Sequence, residues 1–254
     1  MKVYSLYFSP TGGTEKVTKL IAQALGELAD EMDLSLPQGE KIPAAFDADA
    51  LCVIGVPSFG GRVPAVALER LRRIKADGAM AVLIACYGNR DYDDTLLELK
   101  DEAVKCGFKP VAAIAAVTEH SIMREFGAGR PDAQDCAVLR AFACQIKNAL
   151  AAGNAPADVL VKGNRPYREY NGVPLKPSAD KSCNDCGICA KSCPVGAISS
   201  EKPELTDKDR CISCMRCVAI CPRHARKLNS IVLFAATQKL KKACAERKEN
   251  ELIL

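Results

Sequence analysis

The chain has 254 residues, room for one large domain or two ordinary ones, and its 48% hydrophobic and 26% charged residues exclude wholesale disorder. With no Trp and only 5% aromatics, Ala, Val, Leu and Ile must build the core, and no run of eighteen apolar residues exists to cross a membrane. The formal charge of +4 is mild but uneven: residues 181–254 carry net +6 and residues 1–180 net −2.

In chain order, VYSLYF (3–8) predicts a strand, and after a glycine turn an amphipathic helix runs from Thr14 to about Leu28. MDLSL (32–36) predicts a short strand, and the stretch from there to residue 49 is brief for a full helix. DALCVIGV (49–56) is an apolar run ending at Pro57, followed by Gly60-Gly61 and a helix with Pro64 near its start and LERLRRI as its body. AMAVLIACY (79–87) and VAAIAAV (111–117) are further strands, separated by a helix over DDTLLELKDEAVKCGF (93–108). A last helix spans 132–152, opened by Pro131 and closed by Gly153. Continuous apolar runs alternating with helices predict an α/β domain with a parallel sheet buried on both faces. Residues 153–180 are rich in Gly, Pro and Asn with no period and read as an extended linker. About 228–250 reads as an amphipathic helix packed on one of the domains, ending in a frayed charged tail.

Cysteine is the outlier, at 14 residues. Eight lie between Cys183 and Cys221, in two runs, CNDCGICAKSCPVGAI (183–198) and CISCMRCVAICPRHAR (211–226), that superimpose cysteine for cysteine from Cys183 on Cys211 to Cys193 on Cys221. Clustered thiols with no export signal point to metal rather than disulfides, and to a cytoplasmic protein. Both runs read C-x2-C-x2-C-x3-C-P, the pattern of two-cluster bacterial ferredoxins, whose fourth Cys ligates the other cluster. Three thiolates at x2 spacing wrap one face of a cubane, and Pro194 and Pro222 redirect the chain after the fourth. Cys183, Cys186, Cys189 and Cys221 are therefore assigned to one [4Fe–4S] cluster, and Cys211, Cys214, Cys217 and Cys193 to the second. Zinc ribbons instead space their C-x2-C pairs well apart. Each oxidised site carries a charge of about −2, so the basic surplus of residues 181–254 becomes counter-charge and nucleic-acid binding loses its support.

Ser9-Pro10-Thr11-Gly12-Gly13-Thr14 joins the first strand to the first helix. Its hydroxyls and free helix N–H groups suit a phosphate, although plain helix capping uses the same groups. Two more loops follow later strands: Pro57-Ser58-Phe59-Gly60-Gly61-Arg62 and Tyr87-Gly88-Asn89-Arg90-Asp91-Tyr92. In an open α/β sheet, ligands bind beyond the carboxyl ends of the strands. Phe59 and Tyr92 taken singly are ordinary loop aromatics, and Arg62 and Arg90 plain surface charges. Cys52, Cys86, Cys106, Cys136, Cys144 and Cys244 read as small buried hydrophobes, with Cys86 near the loops. His120 follows a strand toward the same edge, and His224 follows the second Cys-Pro.

SPTGGT, PSFGGRVP and YGNRDYDD resemble the three flavin-binding loops of flavodoxin-like proteins. With the double cysteine repeat behind them, nearly the whole chain resembles the flavodoxin–ferredoxin fusion proteins of bacteria and archaea. The resemblance implies FMN, its phosphate held by Ser9, Thr11, Gly12, Gly13 and Thr14. Ser58, Phe59, Gly60 and Gly61 would cover one side of the ring, and Tyr87, Gly88, Asn89, Arg90 and Tyr92 the other. The expected architecture is a doubly wound, flavodoxin-like five-stranded parallel sheet (1–152), a linker (153–180), a small α+β ferredoxin-like domain with two [4Fe–4S] clusters (181–226), and a C-terminal helix and tail (227–254). The expected function is electron transfer between FMN, the clusters and redox partner proteins. The alternatives are a flavin-dependent reductase with its own small-molecule substrate and, more remotely, a redox sensor or assembly subunit with an empty flavin site.

Overall fold

The computed structural model describes residues 1–37, 45–154 and 156–254. Five strands form the centre of the sheet: β1 (Lys2–Tyr7), β2 (Leu28–Asp33), β3 (Ala50–Pro57), β4 (Met80–Tyr87) and β5 (Lys109–Val117). All are parallel, in the spatial order 2-1-3-4-5. That is the flavodoxin-like doubly wound order, whose switch point lies between β1 and β3. Side-chain alternation splits the apolar runs between two cores. Cys52, Ile54 and Val56 of β3 face one layer with Leu68, Leu71, Leu96 and Leu99. Leu51 and Val53 face the other with Val17, Ile21, Leu139 and Ile146. Helices α2 (Ala65–Leu71) and α3 (Thr95–Lys105) cover the first face, and α1 (Gly13–Leu25) and α4 (Ala133–Ala151) the second.

The second strand starts earlier than its apolar residues suggest. It spans Leu28–Asp33, and Leu34 and Ser35 of the expected strand 32–36 form a turn instead. Pairing with β1 recruits the polar residues Asp30 and Glu31, because an edge strand needs only one buried face. Most of the brief segment before residue 49 lies outside the described residues.

Residues 156–177, read from the sequence as part of a linker, form no helix or strand and are fastened along α3. Val159 is fully buried in the first core. Asp94, just before α3, receives the N–H of Asn164 at 2.8 Å and of Arg168 at 2.7 Å. Burial pushes the Asp94 carboxyl up, but those N–H groups outweigh it and hold it below its ordinary value. Asp101 pairs with Arg165 at 2.6 Å and accepts from the Tyr167 hydroxyl. The segment is a strap on the sheet domain.

The cysteine runs form two short helices, α5 (Ile188–Lys191) and α6 (Arg216–Ala219), at matching positions of the repeat. A two-residue antiparallel pair, Ser178–Ala179 with Arg226–Lys227, closes this domain. Helix α7 (Ser230–Lys241) follows, capped by Asn229, whose Oδ1 accepts from Ile231 and Val232 N–H at 3.0 and 3.1 Å. Its inner side packs Leu233 and Leu240 on Met123, Phe126 and Leu175.

The tail does not fray. Glu251–Ile253 forms β6, antiparallel to β5, so the expected five-stranded parallel sheet is a mixed six-stranded one. Side chains fasten the approach to it. Asn250 accepts the Val117 N–H at 2.8 Å and donates to Asp135 at 3.0 Å. Arg130 grips the same carboxylate at 2.5 and 2.9 Å. Burial pushes the Asp135 carboxyl up, but Arg130 pulls it further down, to about 2. Asn250→Ala strands buried donors and acceptors, so it should cost about 1–3 kcal/mol. Urea denaturation checks it, and an unchanged midpoint would mean that the tail detaches in solution.

Candidate functional site

The loops after β1, β3, β4 and β5 meet at the carboxyl edge of the sheet around a cavity of about 390 Å³. Ser9, Thr11, Gly13, Thr14, Ser58, Phe59, Gly60, Gly61, Tyr87, Gly88 and Arg90 line it, as their sequence positions suggested. Gly12 faces a second cleft of about 700 Å³ across the same loop, which His224 also lines. Asn89 and Tyr92 line neither. Asn89 is buried and binds the returning C-terminal segment, donating to the Cys244 and Glu246 carbonyls at 2.9 and 2.8 Å and accepting from Lys248 N–H at 3.0 Å. Tyr92 packs on Tyr87 and donates to Glu251 at 2.8 Å.

The first loop leaves backbone donors free at the start of α1. Gly12 caps α1 in the left-handed region (φ 89°), with no side-chain cap. The N–H groups of Thr11, Gly12, Gly13 and Thr14 have no hydrogen-bond partner among the described residues. Four unpaired donors at the positive end of a helix suit a phosphate. Ser9 Oγ is already committed, accepting the Glu15 N–H at 2.9 Å.

The two ring-sized loops are braced from behind. Ser58 N–H donates to the Cys86 carbonyl at 2.7 Å, and Phe59 and Arg62 exchange backbone bonds at 2.9 and 3.2 Å. Arg62 holds Glu98 at 2.6 Å and lies over the Tyr167 ring, so it stabilises the loop instead of facing the cavity. Gly60 is left-handed, and a Cβ there would sit 2.2 Å from the Tyr170 ring. A Cβ at Gly88 would sit 2.5 Å from His120. Both glycines make room for the chain's own aromatic side chains. Cys86 lines the cavity with its thiol pushed up to about 12 by burial, which leaves it inert.

Several lining residues had no sequence signal. Arg168, Tyr170, Val173 and Leu175 come from the strap, Leu240 from α7, and Ser213 and Cys214 from the second cysteine run. Only the fold brings them to this edge.

The eight run thiols line two small hollows of similar size, about 10 and 20 Å³. Cys183, Cys186, Cys189 and Cys221 line the first, and Cys193, Cys211, Cys214 and Cys217 the second. Each hollow thus draws three thiols from one run and one from the other. The backbone repeats with the sequence. Asp185 and Ser213, Gly187 and Met215, and Gly196 and His224 are all left-handed, each pair at matching positions of the two runs. Such residues turn successive N–H groups inward as anion-binding nests. Ala197 N–H donates to Cys193 Sγ at 3.2 Å, and Ala225 N–H to Cys221 Sγ at 3.3 Å. Among the described residues no three His, Cys, Asp or Glu side chains converge as one metal ion would need. Four thiols around each hollow, with N–H donors on Cys193, Cys211 and Cys221, suit a multi-atom cluster. Burial pushes the Cys214 and Cys217 thiols up to about 12, so both are protonated at neutral pH in the absence of a metal. Cys214 lines both the second hollow and the cavity at the sheet edge.

Residues 182–226 match a family model described as a 4Fe-4S dicluster domain. The chain is 33% identical over 91 residues to the thiosulfate reductase electron transfer subunit PhsB of Salmonella typhi, covering 34% of this chain and 46% of that protein. It is 40% identical over 58 residues to a component of the ion-translocating oxidoreductase complex of Methanosarcina acetivorans, 22% of each. The chain therefore spans less than half the length of these relatives. Among solved structures, oxidised flavodoxin 1 from Bacillus cereus covers 58% of this chain and 98% of its own at 14% identity and a TM-score of 0.43. Rubredoxin oxygen:oxidoreductase from Desulfovibrio gigas covers 61% of this chain and 37% of its own at 17% identity and a TM-score of 0.42. The strand order and the family match together show a flavodoxin-like domain followed by an iron–sulfur domain.

His120 provides a pH test of the site. Its Nδ1 accepts the N–H of Ile122 and of Met123, both at 3.1 Å, which leaves the proton on Nε2. Burial lowers its pKa from 6.5 to about 4. Between these values the unfolded chain binds the proton and the folded chain does not. Stability should therefore fall as pH drops from 6.5 to 4, by on the order of 1–3 kcal/mol. His120→Asn should flatten that slope in denaturation curves, and an unaltered slope would show that the ring is solvated.

Proposed function

We propose that this protein carries electrons between a flavin at the carboxyl edge of the sheet and two [4Fe–4S] clusters in the hollows, and from there to a redox partner in the cytoplasm. One observation carries the proposal: Cys214 lines both the flavin cavity and the second hollow. A ligand of one carrier then forms part of the wall of the other.

The residues fit both groups. The free N–H groups of Thr11 to Thr14 would hold the phosphate of FMN, and the Phe59 loop and the Tyr87–Arg90 loop would hold its ring. When bound, FMN supplies exchange between one- and two-electron couples. The protein's part is to bind, orient and enclose it. Tyr170, Leu175 and Leu240 line the cavity, so much of its wall belongs to segments of this chain outside the sheet domain. That favours internal transfer over a reductase that admits a substrate to the ring. The first hollow differs, because its Cys186 is exposed. The cluster there is the one placed to meet a partner.

Anaerobically purified protein should hold about eight iron atoms and one FMN. Two tight zinc ions without acid-labile sulfide would overturn the cluster assignment. Reducing the flavin should pass an electron to a cluster at a rate independent of protein concentration, read by freeze-quench paramagnetic resonance. A concentration-dependent rate would remove internal transfer, and substrate-dependent flavin reoxidation would point to a reductase. Thr11→Val should lower FMN affinity only modestly, within about threefold, because the N–H groups carry the phosphate. Gly12→Val should lower it at least about tenfold, since the left-handed backbone is lost.

The interleaving of the two runs has its own test. Cys193→Ala/Cys214→Ala should leave one cluster intact, and Cys193→Ala/Cys186→Ala should impair both. Iron counts on the two variants decide it, and the reverse pattern would mean that each run holds its own cluster.

A further inference from the structure

Among the described residues only three buried side-chain nitrogen or oxygen atoms lack a hydrogen-bond partner: Ser5 Oγ, Arg216 Nε and Arg226 Nε. Two of the three are guanidinium nitrogens, and each belongs to a residue that lines one of the thiol hollows. Arg216 lines the hollow of Cys193, Cys211, Cys214 and Cys217. Arg226 lines that of Cys183, Cys186, Cys189 and Cys221. A native fold leaves few buried donors unpaired, so each such group calls for a missing acceptor.

The charges make the same demand. Arg226 is only 2% exposed and forms no ion pair with a carboxylate among the described residues. It donates to Thr206 Oγ1 at 2.6 Å and to the carbonyls of Pro203 and Leu205, and its Nη2 stands 3.5 Å from Cys189 Sγ. A guanidinium held out of water without a counter-charge is expensive. Arg216 has one distant carboxylate, Asp33 at 3.6 Å. At the equivalent positions the first run carries Ile188 and Ile198. Both guanidinium groups with an unpaired buried nitrogen belong to the second run, one lining each hollow, and the exposed Arg223 of the same run lines the first hollow beside Arg226.

We propose that Arg216 and Arg226 are built-in counter-cations of the two clusters, each giving its free Nε–H to the cluster in the hollow it lines and raising that cluster's reduction potential. The inference rests on the two-cluster reading above. Reduction adds one electron to a cluster whose oxidised charge is about −2. No bond forms or breaks, and the guanidinium keeps its proton, so its charge is constant across working pH. A fixed cation beside the cluster stabilises the more negative, reduced state. Arg216 also ties its cluster to the sheet domain, donating to Ser35 Oγ at 3.3 Å and to the Ser9 carbonyl at 3.5 Å.

Redox titration of the whole, cluster-loaded protein with a low-potential chemical reductant, followed by paramagnetic resonance, tests this. It should resolve two one-electron steps. Arg216→Gln should lower one and Arg226→Gln the other, each by about tenfold in the reduction equilibrium, or about 59 mV for one electron. The corresponding Lys variants keep the charge and should shift less. Should Arg226→Gln lose its iron, Arg226→Lys against the parent protein carries the test, with a downward shift of its own step expected from the lost Nε donor. Full iron with unmoved potentials would overturn the inference, as would Lys variants that shift as far as Gln. A merely structural arginine would lower stability or iron content without moving the potential of the clusters that remain. Absence of iron and labile sulfide from the parent protein would instead overturn the two-cluster reading itself.

Discussion

The iron–sulfur domain has almost no core. Within residues 182–226 the buried apolar side chains are Cys189, Pro194, Ala197, Ile198, Pro203, Cys214, Met215 and Ala225, and two of these are thiols. So short a segment buries too little apolar surface to stand alone, and segments of this kind lean on metal or on a larger body. Here the sheet domain supplies a wall, and the eight thiols line hollows that fit the proposed clusters. The arrangement of every other part follows from that dependence.

Three fastenings hold the small domain to the sheet. The strap brings it along α3 through Asp94 and Asp101. Arg70, buried in α2, donates to the Leu34 carbonyl and, at 2.6 Å, to the Pro194 carbonyl beside Cys193. After α7 the chain returns and adds β6 to the edge of β5. That last step also protects the edge strand, since an unpaired β5 would expose a row of backbone donors and acceptors. Because the contacts lie before, within and after residues 182–226, the Cys214 loop has little freedom to leave the cavity edge. Fixed spacing is what transfer between two buried carriers requires. The turn at Leu34 and Ser35, expected as strand, receives both Arg70 and Arg216. Its departure from the sheet is what makes that docking point.

The strands of the sheet domain could be read from the chain because their signal is local. A parallel strand buried on both faces must be apolar throughout, and the runs at 50–56, 79–87 and 111–117 are. The thiol runs could be read because ligand spacing is set by the backbone over a few residues. β2 was harder to place, since its polar residues Asp30 and Glu31 hide an edge strand. β6 was hidden for a different reason: ELI carries no period, and pairing with β5 depends on where α7 delivers the chain. Asn89 and Tyr92 belong to a ligand-like loop by pattern, yet both serve the C-terminal return. Nothing within the loop distinguishes a side chain that faces a cavity from one that faces a distant segment.

By itself, then, the sequence determined the chemistry that local geometry can carry: a parallel α/β sheet, a glycine loop with free N–H groups, and two thiol runs in tandem repeat. Only the tertiary structure decided which hollow meets the cavity, that Tyr170 and Leu240 line it, and that two arginines of the second run line one hollow each. Those relations join residues far apart along the chain. They arise from packing surfaces and from the need to satisfy buried charge and backbone polarity, which no stretch of sequence settles alone.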